Sequence, residues 1–233
     1  MLNAENEPAF VLHTRDYTDS RILVELFTQS YGRIGTAFRV GGKKYLGSAK
    51  PQSFTPLIVN FHGKSELKTL SQVEMERASW LVSGVPLYCG LYLNELIQRL
   101  LVADDPHPQL FTAYQVCLQY LSEVARGEED ILLREFEFKF LQELGYGINF
   151  LQDTLGEDIR PSPENLYFFE PESGFNHSLP YSSRQQFSGE LLNGIVQQDW
   201  QNKAVRLAAK KICRQALGFL LGDKPLLSRE LFK

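Results

Sequence analysis

Five short runs of β-forming residues, separated by turn-forming residues, fill the first 73 positions of the chain. The predicted strands are Ala9–Thr14, Arg21–Thr28, Arg33–Val40, Phe54–Phe61 and Glu66–Val73. The runs are rich in β-branched or aromatic residues, and Gly, Pro, Asp or Lys lie in the turns between them. This spacing favours a small barrel, and the OB-fold is the commonest five-stranded form that binds nucleic acid. An SH3-like barrel is the alternative that remains open.

The charged residues between positions 31 and 71 are almost all positive. Glu66 is the one acid beside seven bases, namely Arg33, Arg39, Lys43, Lys44, Lys50, Lys64 and Lys68. A small sheet with a basic surface is typical of proteins that bind nucleic acid. Tyr31 and Tyr45 lie in predicted loops and are candidates for stacking on bases, whereas the phenylalanines of this region are predicted to fill the barrel core.

The net charge of −4 conceals two basic ends around an acidic middle. Residues 1–70 carry nine Lys and Arg against six Asp and Glu, which is a net charge of +3. Residues 71–202 carry seven against twenty, or −13, and residues 203–233 carry eight against two, or +6. Such asymmetry directs an anionic ligand to the ends of the chain. A solvated surface without an anionic partner explains the same charges, so charge alone leaves both interpretations open.

The composition changes after residue 79 to the periodicity of helices. We predict helices at Pro86–Leu101, Pro106–Ala125, Asp130–Leu144, Arg184–Val196 and Asn202–Leu221. Residues 149–183 read as an irregular insertion with a short hairpin around Leu166–Phe169 and Gly174–Phe175. The sequence therefore predicts an α+β chain with an OB-fold barrel at residues 1–79 and a mostly helical domain at residues 80–233.

The last predicted helix is amphipathic and strongly basic. Lys203, Lys210 and Arg214 fall opposite its apolar side, and Arg206 and Lys211 flank them. No acid occurs between residues 203 and 222, whereas a face that is only solvated usually mixes both signs. The helix is therefore a candidate anion-binding surface, with an ordinary amphipathic helix as the alternative.

Motifs for catalysis are absent from the sequence. The Gly-Lys-Ser at residues 63–65 lacks the first glycine of a P-loop, because Ile58 stands in its place. Neither GxGxxG, GxSxG nor HExxH occurs. The three cysteines are far apart and form no CxxC pair, so we predict free core cysteines, no metal site and no cofactor. Because no catalytic motif occurs, we expect a protein that is not an enzyme. With no signal-peptide pattern and no long apolar run, we expect it to be cytoplasmic.

Five stretches are distributed over nearly the whole chain. They read AFVLHTRDYTDSRILVELFT, QSFTPLIVNFHGKSELKTL, LYCGLYLNELIQRLL, LGYGINF and GDKPLLSRELF. In this order they resemble the RecO family of DNA repair and recombination mediators. The resemblance is to the gammaproteobacterial type. Many relatives carry a four-cysteine zinc module after the LGYG segment, but this chain has no cysteine between Cys117 and Cys213. Zinc is therefore not expected.

The resemblance implies an OB-fold, a helical C-terminal domain and a function without catalysis. That function is to bind single- and double-stranded DNA, to anneal complementary strands and to help RecA replace single-strand-binding protein (SSB). The implied partners are RecR and the acidic C-terminal tail of SSB, with RecA and RecF in the same pathway. The implied localisation is cytoplasmic, in association with the nucleoid. A protein-interaction adaptor with an incidental basic surface is the alternative function.

Two candidate sites follow from the residues and the resemblance. The predicted DNA-binding residues are Arg15, Arg33, Arg39, Lys43, Lys44 and Lys68 in the barrel, and Lys203, Arg206, Lys210, Lys211 and Arg214 in the last helix. The SSB tail needs an apolar pocket with a cation at its mouth. Arg134, Phe138 and Leu141 lie at i, i+4 and i+7 of a predicted helix. The resemblance implies that Leu133–Arg134 matches a helix position that the family uses for this tail. In the alternative interpretation, Arg134 only balances Glu135 or Glu137.

Overall fold

The computed structural model describes residues 2–40, 50–81, 83–178 and 183–232. Its contacts divide the chain into two compact units, of which the first comprises Met1–Val124 and Leu226–Lys233 and the second comprises Ala125–Pro225. The second unit is therefore an insertion between two segments of the first. The two helices that follow the barrel belong to the same unit as the barrel, and the domain boundary after residue 79 stays a prediction.

The first unit contains a closed barrel with the strand order β1-β2-β3-β5-β4. Its strands are β1 (Leu2–Thr18), β2 (Arg21–Thr28), β3 (Gly32–Arg39), β4 (Leu57–Gly63) and β5 (Lys68–Met75). The barrel is closed by a short parallel pairing of β3 with β5, in which Thr36 lies beside Lys68 and Phe38 beside Leu70. The predicted five-stranded OB-fold followed by a mostly helical region is confirmed.

The barrel core follows from the two-residue alternation of its strands. Ile22, Val24 and Leu26 point inward from β2 and are buried. The predicted phenylalanines Phe38 and Phe61 are buried in the same cluster. The residues between the inward positions of β2 therefore lie on the outer face of the barrel.

Two helices of the first unit, α1 (Gly84–Leu100) and α2 (Pro108–Glu123), pack against the barrel. The side-chain amide of Asn94 in α1 donates a hydrogen bond to the carbonyl of Leu12 in β1, at 3.0 Å. The ring of Phe10 lies 5.6 Å from that of Phe111 and 5.3 Å from that of Tyr114 in α2. Polar and aromatic contacts thus join both helices to β1.

The second unit combines three helices with a small sheet. Its elements are α3 (Glu129–Glu143), β6 (Leu166–Glu170), β7 (Gly174–Ser178), β8 (Gln186–Ser188), α4 (Gly189–Val196) and α5 (Lys203–Leu221), and the sheet order is β7-β6-β8. The predicted hairpin is confirmed as β6 and β7. The helix predicted from Arg184 is wrong at its start, because residues 186–188 pair with β6 and Ser188 caps α4 by accepting a hydrogen bond from the N–H of Leu191.

A 3₁₀ helix, Leu227–Phe232, follows in the segment that returns to the first unit. This 3₁₀ helix contacts α1.

Candidate nucleic-acid interface

Three exposed arginines lie on the outer face of the barrel, where β1, β2 and β3 run side by side. Arg21 is directly opposite Arg39 in the antiparallel register of β2 and β3. Arg15 of β1 is opposite Leu23, the next outward position of β2 after Arg21. We call Arg15, Arg21 and Arg39 the arginine cluster. Like charges directly opposite each other destabilise a sheet, so an anion bound here removes an unfavourable interaction.

Arg21 was not among the DNA-binding residues that we predicted from the sequence. The turn between β2 and β3 contains the signal that could have identified it. Thr28 pairs with Gly32 at the end of the hairpin, and the same register places Arg21 opposite Arg39 at its open end. The predicted turn was sufficient to count this register back along both strands.

Two other predicted barrel residues form ion pairs within the protein. The guanidinium of Arg33 pairs with Glu25, whose second carboxylate oxygen accepts a hydrogen bond from Gln98 Nε2 at 2.9 Å. Lys68 is only 7% exposed, and its Nζ lies 3.7 Å from Oδ1 of Asp104. The same Nζ donates to a backbone carbonyl of the preceding turn at 2.7 Å. Both side chains stabilise the barrel surface.

The remaining barrel predictions have different outcomes. Lys43, Lys44 and the stacking candidate Tyr45 lie outside the residues that the structure describes. Tyr31 is half-buried, and its ring meets that of Phe61 edge-on, with 5.5 Å between the centroids. The ring of Tyr31 therefore packs against the barrel core.

The basic residues of α5 are exposed to different extents. Lys203 and Arg214 are exposed, whereas Lys210 and Lys211 are half-buried. Nη1 of Arg206 lies 3.2 Å from Oδ1 of Asp130 in α3, so an acid from another helix balances part of the charge. We call Lys203, Arg206, Lys210, Lys211 and Arg214 the basic face of α5.

Lys210 lies among charges of both signs. Burial lowers its pKa below the ordinary lysine value, and Arg214 and Arg134 lower it further, whereas Asp130 and Glu137 raise it. A phosphate group placed here offsets the repulsion from the two arginines. The basic face of α5 is therefore suited to an anionic ligand even though Arg206 is already paired.

The residues predicted for the SSB tail do not share one surface. Arg134 is 4% exposed, and its Nη2 pairs with Oε1 of Glu137 at 2.5 Å inside the second unit. Leu141 is completely buried. Phe138 is half-buried and lines a cavity of about 720 Å³ in the same unit. Of the three, Phe138 is the one that lines this cavity.

The cavity combines apolar walls with a few polar groups. Phe138, Phe150, Ile195 and Trp200 supply aromatic and aliphatic surface, and Glu135 and Lys139 add opposite charges. Nε1 of Trp200 is buried without a hydrogen-bond partner among the described residues. A buried N–H without an acceptor is costly, so an acceptor carried by a ligand is favoured here. Sequence periodicity did not indicate this cavity, because its walls come from three separate segments.

Comparison with known proteins identifies the family. The model of the recombination protein O N-terminal domain matches residues 1–78, and that of the recombination protein O C-terminal domain matches residues 83–230. The chain belongs to the RecO family. The DNA repair protein RecO of Pseudoalteromonas atlantica is 39% identical over 232 residues, which cover 99% of this chain and 95% of that protein. RecO of Stutzerimonas stutzeri is 41% identical over 98% of this chain and 94% of its own length.

These matches confirm the resemblance read from the five sequence stretches, and with it a role in DNA repair and recombination. RecO of Haemophilus influenzae is also similar, with 40% identity over 99% of this chain and 97% of its own length. Among the described residues, no cluster of three or more His, Cys, Asp or Glu could hold a metal ion. In the same part of the chain, no helix is long and apolar enough to cross a membrane.

Proposed function

We propose that this RecO-family chain is a recombination mediator that binds single- and double-stranded DNA and anneals complementary strands. With RecR it helps to load RecA onto single-stranded DNA coated with SSB, in a pathway that also includes RecF. Family membership supports this proposal, and the observation that carries it is the exposed pair of Arg21 and Arg39 on adjacent strands. This function places the proposed site of action in the cytoplasm, close to the nucleoid.

The proposed mechanism rests on charge and needs no sequence readout. Annealing brings two polyanions together, and Lys and Arg side chains bound to phosphates reduce their mutual repulsion. The arginine cluster and the basic face of α5 provide such groups in both units of the chain. Lys43 and Lys44 remain predicted members of the DNA-binding set.

The double variant Arg21→Ala/Arg39→Ala tests the role of the arginine cluster. Binding of a labelled oligonucleotide is titrated at several salt concentrations. We expect weaker binding, and a decrease of about one in the slope of log affinity against log salt for each phosphate that the variant no longer binds. Arg184→Ala is the matched control, since Arg184 is exposed, pairs with Glu170 and belongs to neither basic surface. Unchanged affinity and slope in the double variant would favour the adaptor function instead.

An annealing assay tests the complete activity. Complementary strands coated with SSB are mixed with the protein, with and without RecR. We expect the wild-type protein to accelerate duplex formation and the Arg21→Ala/Arg39→Ala variant to accelerate it less. Equal rates with and without the wild-type protein would contradict the proposed function.

We also propose that the acidic tail of SSB binds in the cavity beside Phe138. The support is its apolar lining together with Lys139 and the buried indole N–H of Trp200, which suit an apolar residue that bears a carboxylate. Because the tail is acidic, Lys139→Ala should weaken binding of a tail peptide and Glu135→Ala should strengthen it. Binding of DNA without SSB should stay unchanged in both variants. If both substitutions change peptide affinity in the same direction, the tail binds elsewhere.

A further inference from the structure

Asp130 in the first turn of α3 lies against the basic face of α5. Its Oδ1 is 3.2 Å from Nη1 of Arg206. Arg206 and Lys210 are four residues apart, so one turn of α5 carries both cations on the same side. The charge of Asp130 raises the pKa of Lys210, against the lowering that burial causes. One acid of α3 therefore acts on two neighbouring cations of α5.

Of the two acids that act on Lys210, Asp130 is the one that a ligand can reach. The other, Glu137, has a side chain that is 1% exposed and pairs with Arg134. The side chain of Asp130 is 38% exposed, and that of Arg206 is 17% exposed. The pair of Asp130 and Arg206 thus lies at the surface, where a phosphate can take the place of the carboxylate.

A carboxylate and a phosphate compete for the same guanidinium, because both offer anionic oxygens to its fork of N–H donors. While Asp130 holds Arg206, DNA gains little from this arginine, since the new contact replaces an existing ion pair. An exposed ion pair is weak, so a polyanion can displace it. The displaced carboxylate then lies near phosphates and repels them. Asp130 therefore lowers the affinity for DNA without preventing binding.

We propose that Asp130 is an internal competitor for DNA phosphates, which occupies Arg206 in the free protein and accelerates the release of bound DNA. Annealing needs such release, because a duplex that stays bound keeps the protein from the next pair of strands. Variants of one interface differ in affinity mainly through the dissociation rate. The inference rests on the proposed function, because it requires that the basic face of α5 binds DNA.

Asp130→Asn tests the inference, since asparagine keeps the shape of the side chain and removes its charge. A labelled single strand and a labelled duplex are titrated at several salt concentrations, and dissociation is followed after unlabelled DNA is added. We expect affinity to rise about two- to fivefold at low salt, mostly through slower dissociation, because DNA no longer has to break an exposed ion pair.

The slope of log affinity against log salt should steepen by about one in Asp130→Asn, because Arg206 is then available to one more phosphate. The midpoint of thermal unfolding should change little, because an exposed ion pair contributes little to stability. Asp130→Ser repeats the test if the asparagine variant does not fold.

Glu190→Gln is the matched control, since Glu190 is exposed and lies in the first turn of α4, as Asp130 lies in that of α3. It removes the same charge and should raise the affinity by less. The double variant Asp130→Asn/Arg206→Gln replaces the ion pair by two neutral amides, so its affinity and salt slope should return close to those of the wild type.

Two results would overturn the inference. One is a gain in affinity no larger in Asp130→Asn than in Glu190→Gln, and the other is a steeper salt slope that persists without Arg206. If glutamate at Lys203, Lys210 and Arg214 weakens DNA binding while Asp130→Asn leaves it unchanged, the proposed function stands and the inference about Asp130 fails. If the wild-type protein does not bind DNA, both fail.

Discussion

The carboxylate of Glu95 in α1 accepts two hydrogen bonds from Ser228, one from its backbone N–H at 2.8 Å and one from its hydroxyl at 2.6 Å. The N–H of Leu227 donates to the other carboxylate oxygen at 2.8 Å. Because Ala125–Pro225 forms the inserted unit, these bonds hold the chain where it returns to the first unit. One carboxylate in α1 thus anchors the C-terminal 3₁₀ helix.

The stability that Glu95 contributes should depend on pH. Burial raises the pKa of Glu95. The hydrogen bonds from Ser228 and Leu227 and the charge of Arg99 together lower it by more, so the pKa lies below the ordinary value of 4.5. A lowered pKa in the folded state means that the contribution is present above pH 4.5 and is lost as the pH falls below it. We therefore expect Glu95→Gln to lower the midpoint of thermal unfolding at pH 7, by an amount that shrinks below pH 4.5.

Melting curves between about pH 3 and pH 7 measure this effect. Glu123→Gln, at an exposed carboxylate in the last turn of α2, controls for the loss of one negative charge. A difference between wild type and Glu95→Gln that does not change with pH would contradict the anchoring role of the charged form.

Tyr114→Phe should destabilise the first unit. The hydroxyl of Tyr114 donates to Oδ1 of Asn94 at 2.5 Å, in a region where both side chains are buried. Without the hydroxyl, the buried side-chain oxygen Oδ1 of Asn94 loses this donor. The free energy of unfolding should therefore fall by about 1–3 kcal/mol. Urea denaturation measures this free energy. Tyr120→Phe is the control and should have little effect, because Tyr120 is 53% exposed.

Two glycines in helices should respond to alanine in opposite directions. A Cβ at Gly90 in α1 would lie 2.6 Å from Leu81 Cδ1 and 2.7 Å from the ring of Phe54, whereas one at Gly218 in α5 meets nothing within 4 Å. Overpacking costs about 1–3 kcal/mol, so Gly90→Ala should lower the free energy of unfolding despite the better helix propensity of alanine. Gly218→Ala should raise it by about 0.5–1 kcal/mol. Equal stability changes would exclude close packing as the reason for Gly90.

Arg134→Ala should act mainly on folding. Arg134 and Glu137 are 4% and 1% exposed, so removing the arginine leaves a carboxylate buried without this partner. Loss of one member of a buried pair costs about 3–5 kcal/mol. Arg184→Ala breaks the exposed pair with Glu170 and should cost less than about 1 kcal/mol. If Arg134→Ala keeps wild-type stability and loses only binding of the SSB-tail peptide, Arg134 contacts the tail directly.

The basic face of α5 should respond to charge reversal. Replacing Lys203, Lys210 and Arg214 together by glutamate should weaken binding to single strands and duplexes alike, because phosphates are common to both. The slope of log affinity against log salt should also decrease. DNA affinity and a salt slope equal to those of the wild type would remove α5 from the interface.

The elements with strong periodicity were predictable from the sequence. The β-forming run Arg21–Thr28 indicated the correct element but not its buried face, because both faces of this strand carry apolar residues. The apolar stripe of α5, which includes Val205 and Ile212, indicated both the correct element and the correct buried face. The strand β8 was missed, because it is three residues long and leads directly into the helix that Ser188 caps. Such a short segment becomes a strand only through its pairing with β6.

The sequence by itself determined the barrel, the helices and the two basic ends, because apolar periodicity and local charge are properties of neighbouring positions. Only the tertiary structure decided which charges remain available to a ligand. It placed Arg21 opposite Arg39, and it paired Arg33 with Glu25, Lys68 with Asp104 and Arg206 with Asp130. The physical reason is that an ion pair depends on the distance between side chains in the folded chain, and most of these partners are far apart along the sequence.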